Sequence, residues 1–231
     1  TDEEAVGTMF DMTSLVILLP AIALAAYAQW KVHSTYNRYS TVEVARHLSA
    51  EDAARRILTA QHIDGVSIER TDRRLGDHYD PRKKVLRLSA PESTSIAAIG
   101  VAAHEAGHAM QHAKSFAPLI LRTAIVPIAN FGSQLAIPLF ILGIFTQLPV
   151  LMTAGIILFS TAVLFTLVTL PVEFDASRRA VHALEQSGMV TVEELGAVKE
   201  VLSAAALTYV AAAAMAALQL VMLLLSANRR R

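Results

Sequence analysis

The sequence predicts a mainly α-helical membrane protein in which about four transmembrane helices accompany a small α+β core. Of its 231 residues, 54% are hydrophobic and only 17% are charged, whereas soluble domains carry roughly 25% charged residues. Four apolar stretches approach the roughly 20 residues that a helix needs to cross about 30 Å of hydrocarbon, and most charged residues lie in two segments between them. This distribution predicts that the chain is embedded in a lipid bilayer.

Charge and cysteine content restrict the classes of function. The formal net charge is zero, because 20 Lys and Arg balance 20 Asp and Glu. Nucleic-acid-binding proteins usually carry a basic excess, so no nucleic-acid partner is expected. Cysteine is absent, which excludes disulfides, thiolate zinc sites and cysteine nucleophiles. Histidine and carboxylate side chains remain as the strong metal ligands.

The four apolar stretches are predicted to span the membrane, at residues 13–30, 124–145, 149–170 and 204–225. The third has no charged residue. The second contains two prolines together with Asn130 and Gln134, which need protein partners inside a membrane. The first has no basic leader before it, so an uncleaved anchor is expected rather than a signal peptide.

The positions of the basic residues predict that the polar segments face the cytoplasm. Thirteen of the twenty lie between Lys31 and Lys114, and three more lie between the third and fourth apolar stretches. Basic residues concentrate in the cytoplasmic segments of membrane proteins. The chain nevertheless ends in three arginines, although four crossings would place both termini outside. Either this short tail is translocated or the fourth stretch does not cross completely.

The polar segment at 31–118 is predicted to hold the α+β core. Runs of alternating polarity at 66–70 and 84–89 flank a turn-rich stretch, which predicts a β-hairpin. Ser93 or Ser95 then caps an apolar helix that reaches about residue 113. The predicted organisation is an N-terminal anchor, this core, a transmembrane helical hairpin, a connecting helical segment and a C-terminal transmembrane helix with a basic tail, at residues 1–30, 31–118, 119–171, 172–203 and 204–231.

A His-Glu-Ala-Gly-His sequence occupies positions 104–108 of this helix. Residues four apart face the same side of a helix about 6 Å apart along its axis, so the imidazoles of His104 and His108 can bind one Zn²⁺ ion. Glu105 is adjacent to the first ligand and can accept a proton from a water that the ion activates. His112 continues the spacing, but it lies about 12 Å from His104 along the axis, too far to share the ion.

Glu173 is the candidate third metal ligand. It follows the third apolar stretch directly, and two membrane crossings return it to the side of the two histidines. Small residues on its predicted helix face, and Gly100 and Gly107 on the histidine helix, would let the two backbones approach closely. A short carboxylate side chain could then reach the same ion.

Other roles are open for the acidic residues near position 173. Glu173 could instead be a carboxylate at the membrane interface that pairs with Arg178 or Arg122. Asp175 points roughly opposite to Glu173 on a helix, which predicts an ion pair with Arg178 or Arg179.

Four ordered motifs are present: His-Glu-Ala-Gly-His-Ala-Met-Gln at 104–111, Asp-His-Tyr-Asp-Pro at 77–81, Ala-Pro-Leu at 117–119 with Val-Pro-Ile-Ala-Asn at 126–130, and Val-Glu-Phe-Asp-Ala-Ser at 172–177. Together they resemble the YugP-like membrane zinc metallopeptidases, from about residue 30 to the end. The resemblance implies a neutral zinc endopeptidase of a bacterial cytoplasmic membrane, distantly similar to the HtpX-type and CAAX-processing peptidases. It implies two His and a distal Glu as zinc ligands, and a zincin-like core of β-hairpin and HExxH helix.

The resemblance also implies roles for the predicted hairpin. In metallopeptidases of this type an edge strand lies over the active helix and pairs with the substrate. The candidate edge strand is Lys84, Val85, Leu86, Arg87 and Leu88. The alternative is a hairpin that only covers the helix. His78 and Tyr79 in the connecting turn are candidate donors to the oxyanion of the transition state. HtpX-type enzymes carry Asp four residues after the ligand Glu, whereas this chain carries Ser177, so the acid that orients a ligand histidine is not identified.

The hypothesis is therefore a membrane-anchored zinc-dependent endopeptidase with its active site on the cytoplasmic side, with a further hypothesis of membrane-protein quality control. The expected partners are a peptide or membrane-protein substrate, the lipid bilayer, and a membrane partner protein or a second copy of the chain. One alternative is a catalytically silent scaffold braced by zinc. Another is a site-2-type intramembrane protease, although no distal Leu-Asp-Gly ligand motif is present.

Overall fold

The computed structural model describes residues 12–73 and 76–228. Within these ranges the protein is mainly helical with a small three-stranded sheet. The elements in chain order are α1 (Met12–Tyr39), α2 (Ala50–Ala60), β1 (Ser67–Arg70), β2 (His78–Asp80), β3 (Val85–Leu88), α3 (Ile96–Ala113), α4 (Ala117–Phe145), α5 (Pro149–Ser187) and α6 (Val192–Asn228). Residues 1–11 of the predicted anchor region and the three C-terminal arginines lie outside the described residues.

In the part of the chain that the structure describes, four helices are long and apolar enough to cross a membrane, as the sequence predicts: α1, α4, α5 and α6. Each is longer than its apolar stretch. The helix that begins at Pro149 continues through Pro171 to Ser187. A proline removes one helical hydrogen bond, but the turns that follow it are held by packing, because Val172, Ala176 and Ala180 are fully buried.

The chain divides into two compact units. One contains the apolar segments, 12–28, 121–170 and 208–228 among the described residues. Inside it, Gly155 of α5 lies so close to α4 that an added Cβ would be 2.7 Å from the carbonyl oxygen of Ala136. Phe140 is fully buried beside this contact. Small residues therefore allow α4 and α5 to pack closely, as in membrane helix pairs.

The second unit comprises Gln29–Ile120 and Pro171–Leu207. Helix α3 packs against α2, β2 and β3. The core of this unit includes residues from α2, the sheet, α3, α5 and α6. Its largest fully buried aliphatic side chains are Val44, Ile57, Leu86, Leu88, Ile99, Leu184 and Val198. Ser95 is the N-cap of α3 and accepts a hydrogen bond from the backbone N–H of Ala98 at 3.2 Å.

The sheet differs from the predicted hairpin. Its order is β1-β3-β2, with β1 parallel and β2 antiparallel to β3. The hairpin is therefore β2–β3, and the predicted pairing of 66–70 with 84–89 as a hairpin is wrong. The sequence predicts His78–Asp80 as part of a turn, because this strand is short and turn-forming residues flank it. Strand β3 is mostly buried, as expected for a central strand.

The prediction that Lys84, Val85, Leu86, Arg87 and Leu88 form a free edge strand is consequently wrong. Val85–Leu88 has a strand partner on each side. Lys84 precedes the strand in the left-handed conformation, with φ 52°. Among the described residues, the strands with one unpaired edge are β1 and β2.

Candidate metal centre

The close approach of α3 and α5 positions the candidate ligands. An added Cβ on Gly107 would lie 2.4 Å from the carbonyl oxygen of Ala176, a separation that only glycine permits. The predicted close approach at Gly107 is confirmed. Gly100 instead faces α6, where an added Cβ would be in ordinary contact with Val198 at 3.4 Å, so it does not contribute to the approach of α5.

Replacing Gly107 with alanine is expected to push α5 away from α3 and to displace Glu173 from the two imidazoles. Overpacking of this kind costs about 1–3 kcal/mol of unfolding free energy, and zinc affinity should fall with it. Thermal unfolding and chelator competition measure the two effects.

The matched control is Gly196→Ala on α6, where an added Cβ meets nothing within 4 Å. Alanine there should raise stability by about 0.5–1 kcal/mol and leave zinc affinity unchanged. If Gly107→Ala behaves like this control, the close approach is not needed for the metal site.

Three candidate ligands converge in this unit. The Nε2 atoms of His104 and His108 lie 3.2 Å and 3.6 Å from Oε2 of Glu173, and one ligand atom from each residue lies within 4.8 Å of the other two. The two imidazole rings are 4.7 Å apart, edge to face. The structure thus brings together the three residues predicted from sequence.

The donor set fits zinc. Two imidazole nitrogens and one carboxylate oxygen are among the ligands that Zn²⁺ prefers, and three protein ligands are typical of catalytic sites. The side chain of Glu173 is 3% exposed and those of His108 and His104 are 11% and 14% exposed. A metal cation held by all three side chains would lie against this buried negative charge, which favours its binding.

Electrostatics at the centre favour positive charge. Burial acts to lower the pKa of His108, but the hydrogen bond with Glu173 and the negative charges of Glu105 and Glu173 outweigh it and raise the pKa above its usual value. The same negative charges would favour a metal cation at this place, and because metal binding requires a deprotonated Nε2, it would compete with protonation of the imidazole.

The chain is similar to known proteins over most of its length. The family model described as "Putative neutral zinc metallopeptidase" matches residues 14–228. The chain belongs to this family. It is 46% identical over 204 residues to the Bacillus subtilis (strain 168) protein named "Putative membrane protease YugP", an alignment that covers 87% of this chain and 91% of that protein. No solved structure matches the chain.

Each of the two candidate ligand histidines has a hydrogen-bond partner at Nδ1. Ser177 Oγ lies 3.1 Å from Nδ1 of His104, and Gln111 Oε1 lies 3.1 Å from Nδ1 of His108. Ser177 occupies the position where the sequence comparison with HtpX-type enzymes expected an acid. Gln111 was not predicted, although its place three residues after His108 put it on a neighbouring part of the helix face.

The predicted pairing of Asp175 with arginine is confirmed. Asp175 forms ion pairs with both Arg178 and Arg179. It is also only 5% exposed and accepts a hydrogen bond from Gln111, which the sequence did not indicate.

Glu105 is held on the buried side of α3 and is 7% exposed. Among the described residues, its carboxylate forms no hydrogen bond or ion pair with another side chain. Its negative charge acts on the neighbouring His108. The carboxylate is therefore available to hydrogen-bond a water at the centre.

Tyr79 and His78, the two candidate oxyanion donors, point to different surroundings. The Tyr79 hydroxyl lies 2.9 Å from Nδ1 of His112, one turn beyond His108 on α3, and burial followed by the charge of Asp80 raises the pKa of Tyr79. The His78 ring instead contacts the carbonyl oxygen of Gly76 at 2.7 Å and Arg87 at 3.2 Å. Adjacent strand residues face opposite sides, so only Tyr79 packs toward α3.

Proposed function

We propose that this protein is a membrane-anchored, zinc-dependent endopeptidase of the gluzincin type, with a zincin-like core. The observation that carries the proposal is the convergence of His104, His108 and Glu173. The closest contact joins His104 and Glu173, which are 69 positions apart in the sequence and separated by two apolar helical segments. The matched family and the relative's name point to the same activity. A structural zinc site would be expected to use four protein ligands, and this centre offers three.

The mechanism assigns a task to each residue of the centre. His104, His108 and Glu173 would hold the metal. The chemistry that zinc supplies when bound is Lewis acidity, which lowers the pKa of a water to about 7. Glu105 accepts the proton of the attacking water and passes it to the nitrogen of the leaving amine. The buried surroundings limit the access of other waters to the reacting carbonyl.

The substrate peptide is proposed to pair with the outer edge of β2. Strand β2 packs against α3 and, among the described residues, has no strand partner on that edge. An extended peptide that adds to a sheet edge gains backbone hydrogen bonds. In an extended peptide, successive backbone N–H groups point to opposite edges, so only every second one can pair with β2. N-methylation of these nitrogens should lower kcat/KM, and N-methylation of the nitrogens between them should not.

Replacing Tyr79 with phenylalanine is expected to lower kcat, with little change in KM or zinc affinity. The loss of one oxyanion donor costs about 10²–10³ in kcat. His78→Ala is the control, because the His78 ring bonds Gly76 and Arg87 rather than α3, and it should retain activity. Equal activity in the two variants would remove Tyr79 from the mechanism.

Metal removal tests the proposed function. The full chain in detergent or nanodiscs should bind one Zn²⁺ per chain and cleave an unfolded protein or a membrane-protein substrate. A chelator should abolish cleavage, and one equivalent of zinc should restore it. A protein that binds zinc with this stoichiometry and cleaves none of these substrates would instead be a scaffold braced by the metal.

The proposed setting is a bacterial cytoplasmic membrane, with the site on the cytoplasmic side and a role in membrane-protein quality control. The name of the relative and the four apolar helices support a membrane location. The basic residues between the apolar stretches favour the orientation. A membrane partner protein or a second copy of the chain is a further proposed partner.

A further inference from the structure

Gln111 lies at the centre of a buried hydrogen-bonded chain. It is fully buried, and its Nε2 donates to the carbonyl oxygen of Val172 at 2.7 Å and to Oδ2 of Asp175 at 3.0 Å. Its Oε1 faces Nδ1 of His108 at 3.1 Å. All the hydrogen-bonding atoms of the amide therefore have partners, and none of them needs water.

These partners determine which way the amide points. A carbonyl oxygen and a carboxylate oxygen can only accept hydrogen bonds, so the NH₂ group of Gln111 must face Val172 and Asp175. Its oxygen must then face His108. Because that oxygen only accepts, Nδ1 of His108 must carry a hydrogen, and the lone pair of the neutral ring is left at Nε2. This is the nitrogen that faces Glu173.

Asp175, at the other end of this hydrogen-bonded chain, is held by ion pairs. Asp175 is 5% exposed and pairs with Arg178 and Arg179. The guanidinium of Arg179 also lies over the Phe116 ring, 5.5 Å from its centroid. The two arginines thus hold the Asp175 carboxylate in place, and as a carboxylate it can only accept the hydrogen bond from Gln111.

We propose that Gln111 is a positioning residue that holds His108 in the tautomer that binds metal through Nε2, with Asp175 as its anchor. The inference rests on the proposed function, since it concerns the metal of that site. His104 is held differently, because the Ser177 hydroxyl beside it can donate or accept. Asp175, two residues after the ligand Glu173, is then the acid that supports His108. It acts through the amide of Gln111 and not by direct contact.

Gln111→Met tests the proposal in the full chain in detergent, because methionine is close to glutamine in shape and has no amide. Loss of such a supporting partner typically weakens metal affinity 10–100-fold, and we expect this loss for Zn²⁺ by chelator competition. The ¹H NMR signal of the His108 Nδ1 proton in the zinc-loaded protein should be visible in the wild type. It should broaden in Gln111→Met as the proton exchanges with solvent. The control is Gln186→Met, at an exposed position on α5, which should change neither readout.

Asp175→Leu is the second variant. Among the described residues Asp175 forms no hydrogen bond or ion pair with His108, and a leucine, which is close to aspartate in size, cannot accept the hydrogen bond from Gln111, so zinc binding should weaken. If the two residues act through the same hydrogen-bonded chain, the double variant should bind zinc as tightly as the single variant that has the lower zinc affinity. Losses that multiply in the double variant would mean that Asp175 acts independently.

Wild-type zinc affinity with a persistent Nδ1 proton signal in Gln111→Met would overturn the proposal. If that variant does not fold, unchanged zinc affinity in Asp175→Leu overturns it equally. These outcomes are separate from the proposed function, because a wild-type protein that binds zinc but hydrolyses no peptide refutes the peptidase and leaves the affinity comparison valid. A wild-type protein that binds no zinc refutes both.

Discussion

Glu105→Gln is expected to lower kcat by about 10²–10⁴, the usual contribution of a general acid–base, while one zinc ion remains bound. Glutamine keeps the size and hydrogen-bonding capacity of the side chain but cannot take the proton of the attacking water. The carboxylate lies beside His108 without a side-chain partner among the described residues, so its replacement breaks no structural contact. Initial rates on an unfolded protein substrate and the zinc content of the purified variant measure the two expectations.

Glu185→Gln is the matched control, because Glu185 is exposed on α5 and lies outside the centre. It should retain full activity. Turnover at the wild-type rate in Glu105→Gln would rule out the assigned mechanism, whatever its zinc content.

Glu173→Gln is expected to weaken zinc binding by more than the 10–100-fold that loss of a supporting partner costs, because it removes a ligand itself. The carboxylate is buried against both imidazoles, and no other acidic residue joins these three as a metal-binding group within the described ranges. Zinc at 1,000 times its Kd stabilises a folded protein by about 4.1 kcal/mol. The increase in Tm on zinc addition should therefore shrink or disappear in this variant.

Chelator competition gives the corresponding affinities, with Glu185→Gln again as control. An unchanged zinc affinity in Glu173→Gln would mean that the ion is held elsewhere or by the histidines alone. The proposed peptidase site would then be incorrect even if the protein proved to be a metalloenzyme.

Much of the centre was predictable because its chemistry is carried by residue type and spacing. Histidines four apart on a helix must share a face, and two apolar stretches must return the chain to the same side. These arguments predict His104, His108 and Glu173 from the sequence. Gly107 is predicted for a related reason, because the short side chain of Glu173 can reach the imidazoles only if the two helix backbones lie close together.

The sheet and the supporting residues were less predictable for a physical reason. Parallel pairing of β1 with β3 depends on contacts between strands that are distant in sequence, and the three residues of β2 are too few to show an alternating pattern. Gln111 is not a metal-ligand type. Its role depends on the Val172 carbonyl and on Asp175, 61 and 64 positions away, and only the packing of α3 against α5 brings these groups together.

X-ray absorption at the zinc edge is the most direct test of the central claim, that a carboxylate from α5 completes a metal site begun by two imidazoles of α3. In the wild type we predict two imidazole nitrogens and a carboxylate oxygen at about 2.0–2.2 Å from the ion, with the oxygen contribution altered in Glu173→Gln. A spectrum with one imidazole or none, or one that Glu173→Gln leaves unchanged, would contradict the account.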